Sequence, residues 1–186
     1  MLSIEIPERR LFDETTEEFI TIKATKLQME HSLLSLKKWE SKWHKAFLKK
    51  EEKTEEELYD YMRCMTLTPN VDPLIFRFMD SETAKKITDY IEDPMTATII
   101  HQSDGAPIKK GDVVTAELFY YWMITLNIPV EFQKWHLNQL ITLINVIGIK
   151  NANQKPRKLS AAEQRAEIAK RDALNEQRKA KYKTRG

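Results

Sequence analysis

Leu36, Trp39, Trp43 and Phe47 recur at spacings of three, four and four, which predicts one amphipathic helix over residues 32–48. Ser32 stands before the stripe as its N-cap, with a hydroxyl for the free amides of the first turn. Lys37, Lys38, Lys42 and Lys45 lie mostly off the apolar face. Two tryptophans one turn apart form a large apolar wedge, and the flanking chain must supply a surface for it. Upstream, Ser3 to Ile6 alternate polar and apolar, and Pro7 interrupts the run. The Phe19–Ile22 run is β-favouring, and Leu27, Met29 and His31 alternate with polar residues. Residues 1–31 are therefore expected to form a flap of two or three short antiparallel strands. An isolated hairpin is marginal in water, so the flap needs the Trp39/Trp43 helix behind it.

Downstream the pattern stays helical. Residues 49–53 are a charged loop, and Thr54-Glu-Glu-Glu57 is a capping box. The helix it opens carries Leu58, Tyr61, Met62 and Met65 on one side and stops near Thr68-Pro69. Pro73 suits the first position of a short buried turn with Leu74, Ile75, Phe76 and Phe78. Asp80 or Ser81 caps a further helix on Ala84, Ile87 and Ile91, ended by Asp93-Pro94. Residues 95–101 are β-prone and are expected to pair with the flap. Residues 102–112, with Gly105, Pro107 and Gly111, are expected to form a surface loop. Residues 113–126 are apolar nearly all round, which predicts a central helix. After a break at Asn127-Ile128-Pro129, residues 130–147 resume as a helix with Phe132, Trp135, Leu140, Leu143, Ile144 and Ile147 inward, and Gly148 closes it. These two helices are expected to form an antiparallel hairpin at the centre of the core. The fold class is thus mainly α (α+β): a multi-helix bundle with a small N-terminal antiparallel β flap and a C-terminal basic helix.

Charge changes this picture at one place. The 186 residues sum to a net charge of +2. From Lys155 to Gly186 there are 11 basic and four acidic residues, a net +7, against 19 basic and 24 acidic elsewhere, a net −5. The expected organisation is a single acidic body over 1–150, made of the 1–31 flap and a 32–150 helical core, then a linker and basic helix over 151–186. Asn151 to Pro156 reads as the linker, and Ser160-Ala-Ala-Glu163 as a second capping box. The last helix has only Ile168 and Leu174 as large apolar residues, so it is expected to project from the body and to fray or to order on a partner. The single cysteine, Cys64, excludes an internal disulfide and a cysteine-cluster zinc site, and it suits a reducing compartment. No signal-peptide pattern and no long apolar run is present, so a soluble cytoplasmic protein is expected.

Candidate chemistry is sparse. His31, His44, His101 and His136 fall on four predicted segments without the i, i+4 spacing of a zinc-binding helix. They read first as ordinary buried or surface histidines. The alternative is that they meet beside Cys64 as nucleophile and base. No phosphate-binding glycine loop is present. The carboxylates, such as Glu14, Glu17, Glu18 and Glu51 to Glu57, read as solvated runs and helix caps. No metal, cofactor or catalytic residue is therefore assigned, and no enzyme is expected. Trp39, Trp43 and Phe47 read as core, with an exposed groove for a partner helix as the sharper alternative. In the tail, Ile168 and Leu174 are the apolar anchors of a docking helix, with Arg165, Lys170 and Arg171 as its charges. Binding of nucleic acid through the same lysines and arginines is the competing reading, but no groove-reading motif accompanies them.

Five stretches together resemble the tail assembly chaperones of tailed bacteriophages. They are His31-Ser-Leu-Leu-Ser-Leu-Lys-Lys-Trp-Glu-Ser-Lys-Trp-His44, Cys64-Met-Thr-Leu-Thr-Pro-Asn-Val71, Asp93-Pro-Met-Thr-Ala-Thr98, Tyr120-Tyr-Trp-Met-Ile-Thr-Leu-Asn-Ile-Pro129 and Gln133-Lys-Trp-His-Leu-Asn138. They cover most of residues 30–150 in order. The resemblance implies a non-enzymatic protein that coats the long helical tape measure protein before the tail tube polymerises around it. It implies action in the host bacterial cytoplasm and absence from the mature virion. The tape measure protein is then the expected partner, self-association is an additional contact, and neither nucleic acid nor membrane is expected. The resemblance supplies no catalytic residues. A structural protein of the tail or neck, and a nucleic-acid-binding protein acting through residues 155–186, are the alternatives.

Overall fold

The structure is a computed structural model that describes residues 1–13, 17–100, 108, 113–154 and 161–181. Of the expected loop at 102–112 only residue 108 is among them; His101, residues 155–156 of the expected linker and the Ser160 cap lie outside the described residues, and residues 151–154 of that linker are helical instead. The fold is α+β, with seven α-helices among the described residues and a small antiparallel β element at the N-terminus. The backbone divides into two compact units, Met1–Lys150 and Asn151–Gly186.

The N-terminal element has four strands rather than two or three. β1 (Leu2–Ile6) pairs with β4 (Thr25–Met29), and β2 (Arg9–Asp13) pairs with β3 (Glu18–Ile22), both antiparallel. Ile6 faces Thr25 and Arg9 faces Ile22, so both ladders keep one register. They form a single two-stranded ribbon, interrupted where Pro7 has no amide to donate. Side chains alternate within each ladder, but the buried side changes across Pro7: Ile4, Ile6, Leu27 and Met29 are buried from one side, and Ile22, with Leu11 and Ile20 packed on the core, from the other, which leaves Phe12 and Phe19 exposed. The ribbon is tied to the helices by Asp80, whose carboxylate accepts from Arg9 at 2.9 Å.

Helix α1 (Leu33–Trp43) follows directly. Ser32 is its N-cap, in a reciprocal box with Ser35. The helix ends earlier than the apolar spacing predicts, because His44 adopts a left-handed conformation, φ 53°, and terminates it. Phe47 returns to Trp39 from the loop instead. Its amide is held by the Glu40 carboxylate at 3.0 Å, and its ring meets Trp39 edge-on at 5.0 Å.

Helix α2 (Glu55–Met65) opens with the expected box of Thr54 and Glu57. Its buried face differs from the expected one: Tyr61 and Met65 are buried with Glu57 and Asp60, whereas Leu58 is exposed. After the short α3 (Leu74–Arg77), α4 (Ser81–Glu92) is capped by Asp80, which accepts the Thr83 amide at 2.8 Å. No strand forms over residues 95–100. Met95 has φ 51°, and its carbonyl accepts from Gln139 Nε2 at 2.9 Å, so this stretch is held by polar side chains and not by the ribbon.

Helix α5 (Ala116–Thr125) is not buried all round. Ala116, Phe119 and Met123 face inward, and Leu118, Tyr121 and Ile124 are 39%, 61% and 77% exposed. A 3-10 turn over Val130–Lys134 replaces the start of the next expected helix. Helix α6 (Leu137–Gln154) then begins later and runs through Gly148. A glycine inside a helix costs only about 1 kcal/mol relative to alanine, and the chain pays it here because Ile147 beside it packs on the core. Trp135, expected inward, is 42% exposed. Helix α7 (Ala161–Lys181) lies in the second unit.

Two hydrophobic cores result. The first gathers the ribbon, Trp39, α2, α3 and α4, and the second gathers Leu33, Leu36, α5 and the start of α6. Helix α1 supplies both and packs on both α2 and α5. We predict that Trp39→Ala lowers the unfolding free energy by about 3–5 kcal/mol, whereas Tyr121→Ala changes it by under about 0.5 kcal/mol. Urea denaturation of both variants measures this, and a comparable loss for the two would contradict the assignment of Trp39 to the core.

Candidate functional site

Trp39, Trp43 and Phe47 are placed together, but inward. Trp39 is 1% exposed, and its indole Nε1–H donates to the Glu57 carbonyl at 2.8 Å. Trp43 stacks on Trp39 at 6.2 Å and donates to Asp60 Oδ2 at 2.9 Å. Phe47 stacks on Tyr61 with centroids 3.6 Å apart. The groove alternative therefore does not hold for Trp39, which offers no surface, while Trp43 and Phe47 are half-buried.

Around these rings sits a set of carboxylates that spacing did not single out as buried. Lys45 holds Glu57, and Lys42 holds Asp60 at 2.6 Å. The Lys45 bond and the Thr54 amide keep the Glu57 carboxyl below its ordinary range. Burial works to raise Asp60, but the bonds from Lys42 and Trp43 and the neighbouring Arg63 charge carry it below its ordinary value. The capping box explains why a glutamate stands at position 57. Its burial comes from α1 lying over α2, which no local pattern encodes.

Glu40 has a different task. Its two oxygens accept the Phe47 amide at 3.0 Å and the Ala116 amide at 2.7 Å. Thr115 makes no side-chain cap for α5, so a carboxylate from α1 closes the N-terminus of α5 across the second core. The helix dipole favours a negative group there. Burial nevertheless pushes the Glu40 carboxyl up, against the two amide bonds, with the Glu117 charge adding to the rise.

At the other end of α1, His31 and His136 meet edge-on with ring centroids 5.1 Å apart. Both are buried. Tyr61 Oη and His31 Nδ1 share a hydrogen bond of 2.6 Å. His136 Nε2–H donates to the Tyr90 carbonyl at 3.0 Å, and its Nδ1 accepts the Asn138 amide at 3.3 Å. The backbones join as well, Leu137 N–H donating to the His31 carbonyl at 2.7 Å. Burial, with His136 alongside, pushes His31 down to about 3. Cys64, half-buried, borders a cleft of about 200 Å³ with Ser32, Ser35, Lys38 and Lys134. Burial first, then the Asp60 charge, pushes its thiol up, which disfavours the thiolate that a nucleophile needs. Among the described residues no group of three or more His, Cys, Asp or Glu side chains could hold a metal ion, and no helix is long and apolar enough to cross a membrane.

The outward surfaces are of two kinds. On the body, Leu118, Tyr121 and Ile124 share the solvent side of α5, beside exposed Glu117 and Thr125. In α7, Ile168 and Leu174 are about half exposed, and Arg165, Lys170 and Arg171 are exposed. The α5 face was missed because an all-round apolar helix reads as central. The signal available was Glu117 and Thr125, the two non-apolar positions in the stretch, which lie on one side.

Glu40→Ala is expected to destabilise the body by about 3 kcal/mol, because two amides lose a charged acceptor worth about 1.5 kcal/mol or more each. Glu40→Gln, which keeps one strong acceptor, is expected to lose less. Denaturant unfolding of the pair measures it; a loss under about 1 kcal/mol for Glu40→Ala would mean that water replaces the carboxylate.

No protein-family model, curated protein or solved structure matches this chain.

Proposed function

We propose that this chain is a tail assembly chaperone of a tailed bacteriophage, which binds the tape measure protein and keeps it soluble before the tail tube forms. The supporting observation is the outward face of α5. Leu118, Tyr121 and Ile124 present large apolar side chains from one side of a rigid helix. Clustered exposed apolar residues mark interaction sites more often than scattered ones do. An amphipathic helix of a partner packs on such a face through its own i, i+3, i+4 and i+7 positions. A tape measure protein is a long succession of such helices. The stretch Tyr120 to Pro129, among those that carry the family resemblance, contains Tyr121 and Ile124.

In this proposal the body is a helical bundle that serves as scaffold and binds without catalysis. The basic C-terminal helix is a second contact, with Ile168 and Leu174 as anchors and Arg165, Lys170 and Arg171 as its charges. The protein acts in the host bacterial cytoplasm and leaves before the virion is complete. A structural tail or neck protein would instead remain in purified particles, where mass spectrometry detects it.

Co-expression with the tape measure protein is the direct test. Wild-type chain should raise the soluble fraction of that partner, and no change in its solubility would refute the proposal. Tyr121→Glu with Ile124→Glu should abolish the effect while thermal unfolding of the variant stays close to wild type, since both side chains are largely in solvent. Retention of full solubilising activity by this folded variant would exclude the α5 face as the binding surface. Loss of binding to any nucleic acid on removing residues 155–186, with no effect on tape measure solubility, would favour the alternative use of the basic tail.

A further inference from the structure

We propose that His136 is a proton-sensitive helix cap: its neutral imidazole closes the N-terminus of α6 and the junction of α6 with α1, and a proton on it opens that junction. The geometry names one tautomer. A carbonyl can only accept, so the Tyr90 oxygen requires a proton on Nε2. The Asn138 amide can only donate, so Nδ1 must be bare. His136 precedes Leu137, the first residue of α6, and its Nδ1 takes the amide two positions on, as an N-cap side chain does. A second proton would go to Nδ1. It would set two N–H groups against each other, remove the cap, and put a positive charge at the positive end of the helix dipole. The cap is thus usable in the neutral state alone.

The surroundings decide how strongly that proton is resisted. From the segment before α1, His31 faces the ring at 5.1 Å. From α4, Tyr90 meets it edge-on at 4.9 Å. Tyr61 of α2 reaches the pair through His31. Glu30, bonded to Tyr90 Oη at 2.6 Å and to the Met1 amino group at 2.9 Å, and Asp93 after α4 act in favour of a proton on His136, and the amino group acts against it. Burial outweighs the Tyr90 carbonyl bond and the two acids, and lowers the His136 value from its ordinary 6.5.

The junction is the place where such a proton would be felt. Here the His31 carbonyl takes the Leu137 amide, and Ser32 bridges to His136. The sign follows from linkage. A histidine lowered in the fold takes up its proton only when its site opens. Opening is therefore promoted as pH falls below about 6.5, with a slope that approaches about tenfold per pH unit for one proton only well below that value. The window from pH 6.5 to 5.5 lies above the ordinary carboxylate range, and Glu40, the buried carboxyl that is raised in the fold, acts with the opposite sign, since a proton taken up in the folded state opposes opening.

Amide hydrogen exchange of the full chain, followed by NMR and corrected for the intrinsic pH dependence, tests the proposal. The opening constant of the Asn138 and Leu137 amides should rise by up to about fivefold between pH 6.5 and 5.5 for the His136 proton. Amides of the β1–β4 ladder should rise less. His31, lowered as well, adds a slope of its own when the junction opens. His136→Asn, which caps without titrating, should therefore reduce the slope by one proton, and His31→Gln should leave the His136 share. A flat wild-type profile, an equal rise in the ladder, or a slope unchanged in His136→Asn would each overturn the proposal. Should His136→Asn not fold, the wild-type profile together with the His136 ring titration decides: a ring that protonates near 6.5 with the amides still protected refutes the cap. The proposal is independent of the chaperone function, since none of its outcomes involves a partner.

Discussion

Burial of α1 on both flanks is the constraint on which the rest of the body depends. A helix of 11 residues gives Trp39 to one core and Leu33 and Leu36 to the other. Burying a helix in this way puts its start out of reach of water, and each helix end carries unsatisfied backbone groups. The caps of α1 answer that need. Ser32 and Ser35 close the start, and the left-handed His44 with the Glu40–Phe47 bond closes the finish. The neighbours then attach at the same two ends, α6 through His31 and Leu137, and α5 through Glu40 and Ala116. Apolar packing supplies the free energy, and these polar joints determine which helix sits where.

The buried carboxylates follow the same logic. A charge taken out of water costs several kcal/mol unless paired and hydrogen-bonded. Asp60 has Lys42, Arg63 and the Trp43 indole, and Glu57 has Lys45 and the Thr54 amide. The lysines reach in from exposed positions along their aliphatic stems, so one end of each pair stays hydrated. Glu40 has two backbone amides and no cation within salt-bridge distance among the described residues, and its carboxyl is the one that burial raises. Satisfaction by dipoles alone leaves more of the desolvation penalty standing than satisfaction by a cation does.

Where the body meets solvent, the division between core and surface is less strict than composition suggests. The ribbon turns Phe12 and Phe19 outward, where they pack edge-on at 5.2 Å with Arg10 over the Phe19 ring. Helix α5 turns out Leu118, Tyr121 and Ile124. The aromatic pair covers its own apolar area by mutual contact.

Much of this body was legible from local chemistry. Ser32, Thr54 and Asp80 are caps because a side-chain oxygen beside a free amide is a local arrangement that a few neighbouring residues specify. The ribbon was legible from alternation, and α2, α4 and α6 from apolar spacing, for the same reason: periodicity acts within one element. What sequence left open is whatever depends on two elements at once. Spacing could not tell that α5 is covered on one side only among the described residues, that Phe47 reaches Trp39 from a loop, or that Glu57 and Asp60 lie under Lys45 and Lys42. Nor could it bring His31 to His136, since 105 positions of chain separate them and the contact exists only when α1 and α6 begin side by side. Local sequence determined which segments are helix, strand and cap, because those preferences are set by near neighbours; the tertiary structure alone decided which polar groups are buried and which apolar ones are left in water, because burial is a property of the partner surface.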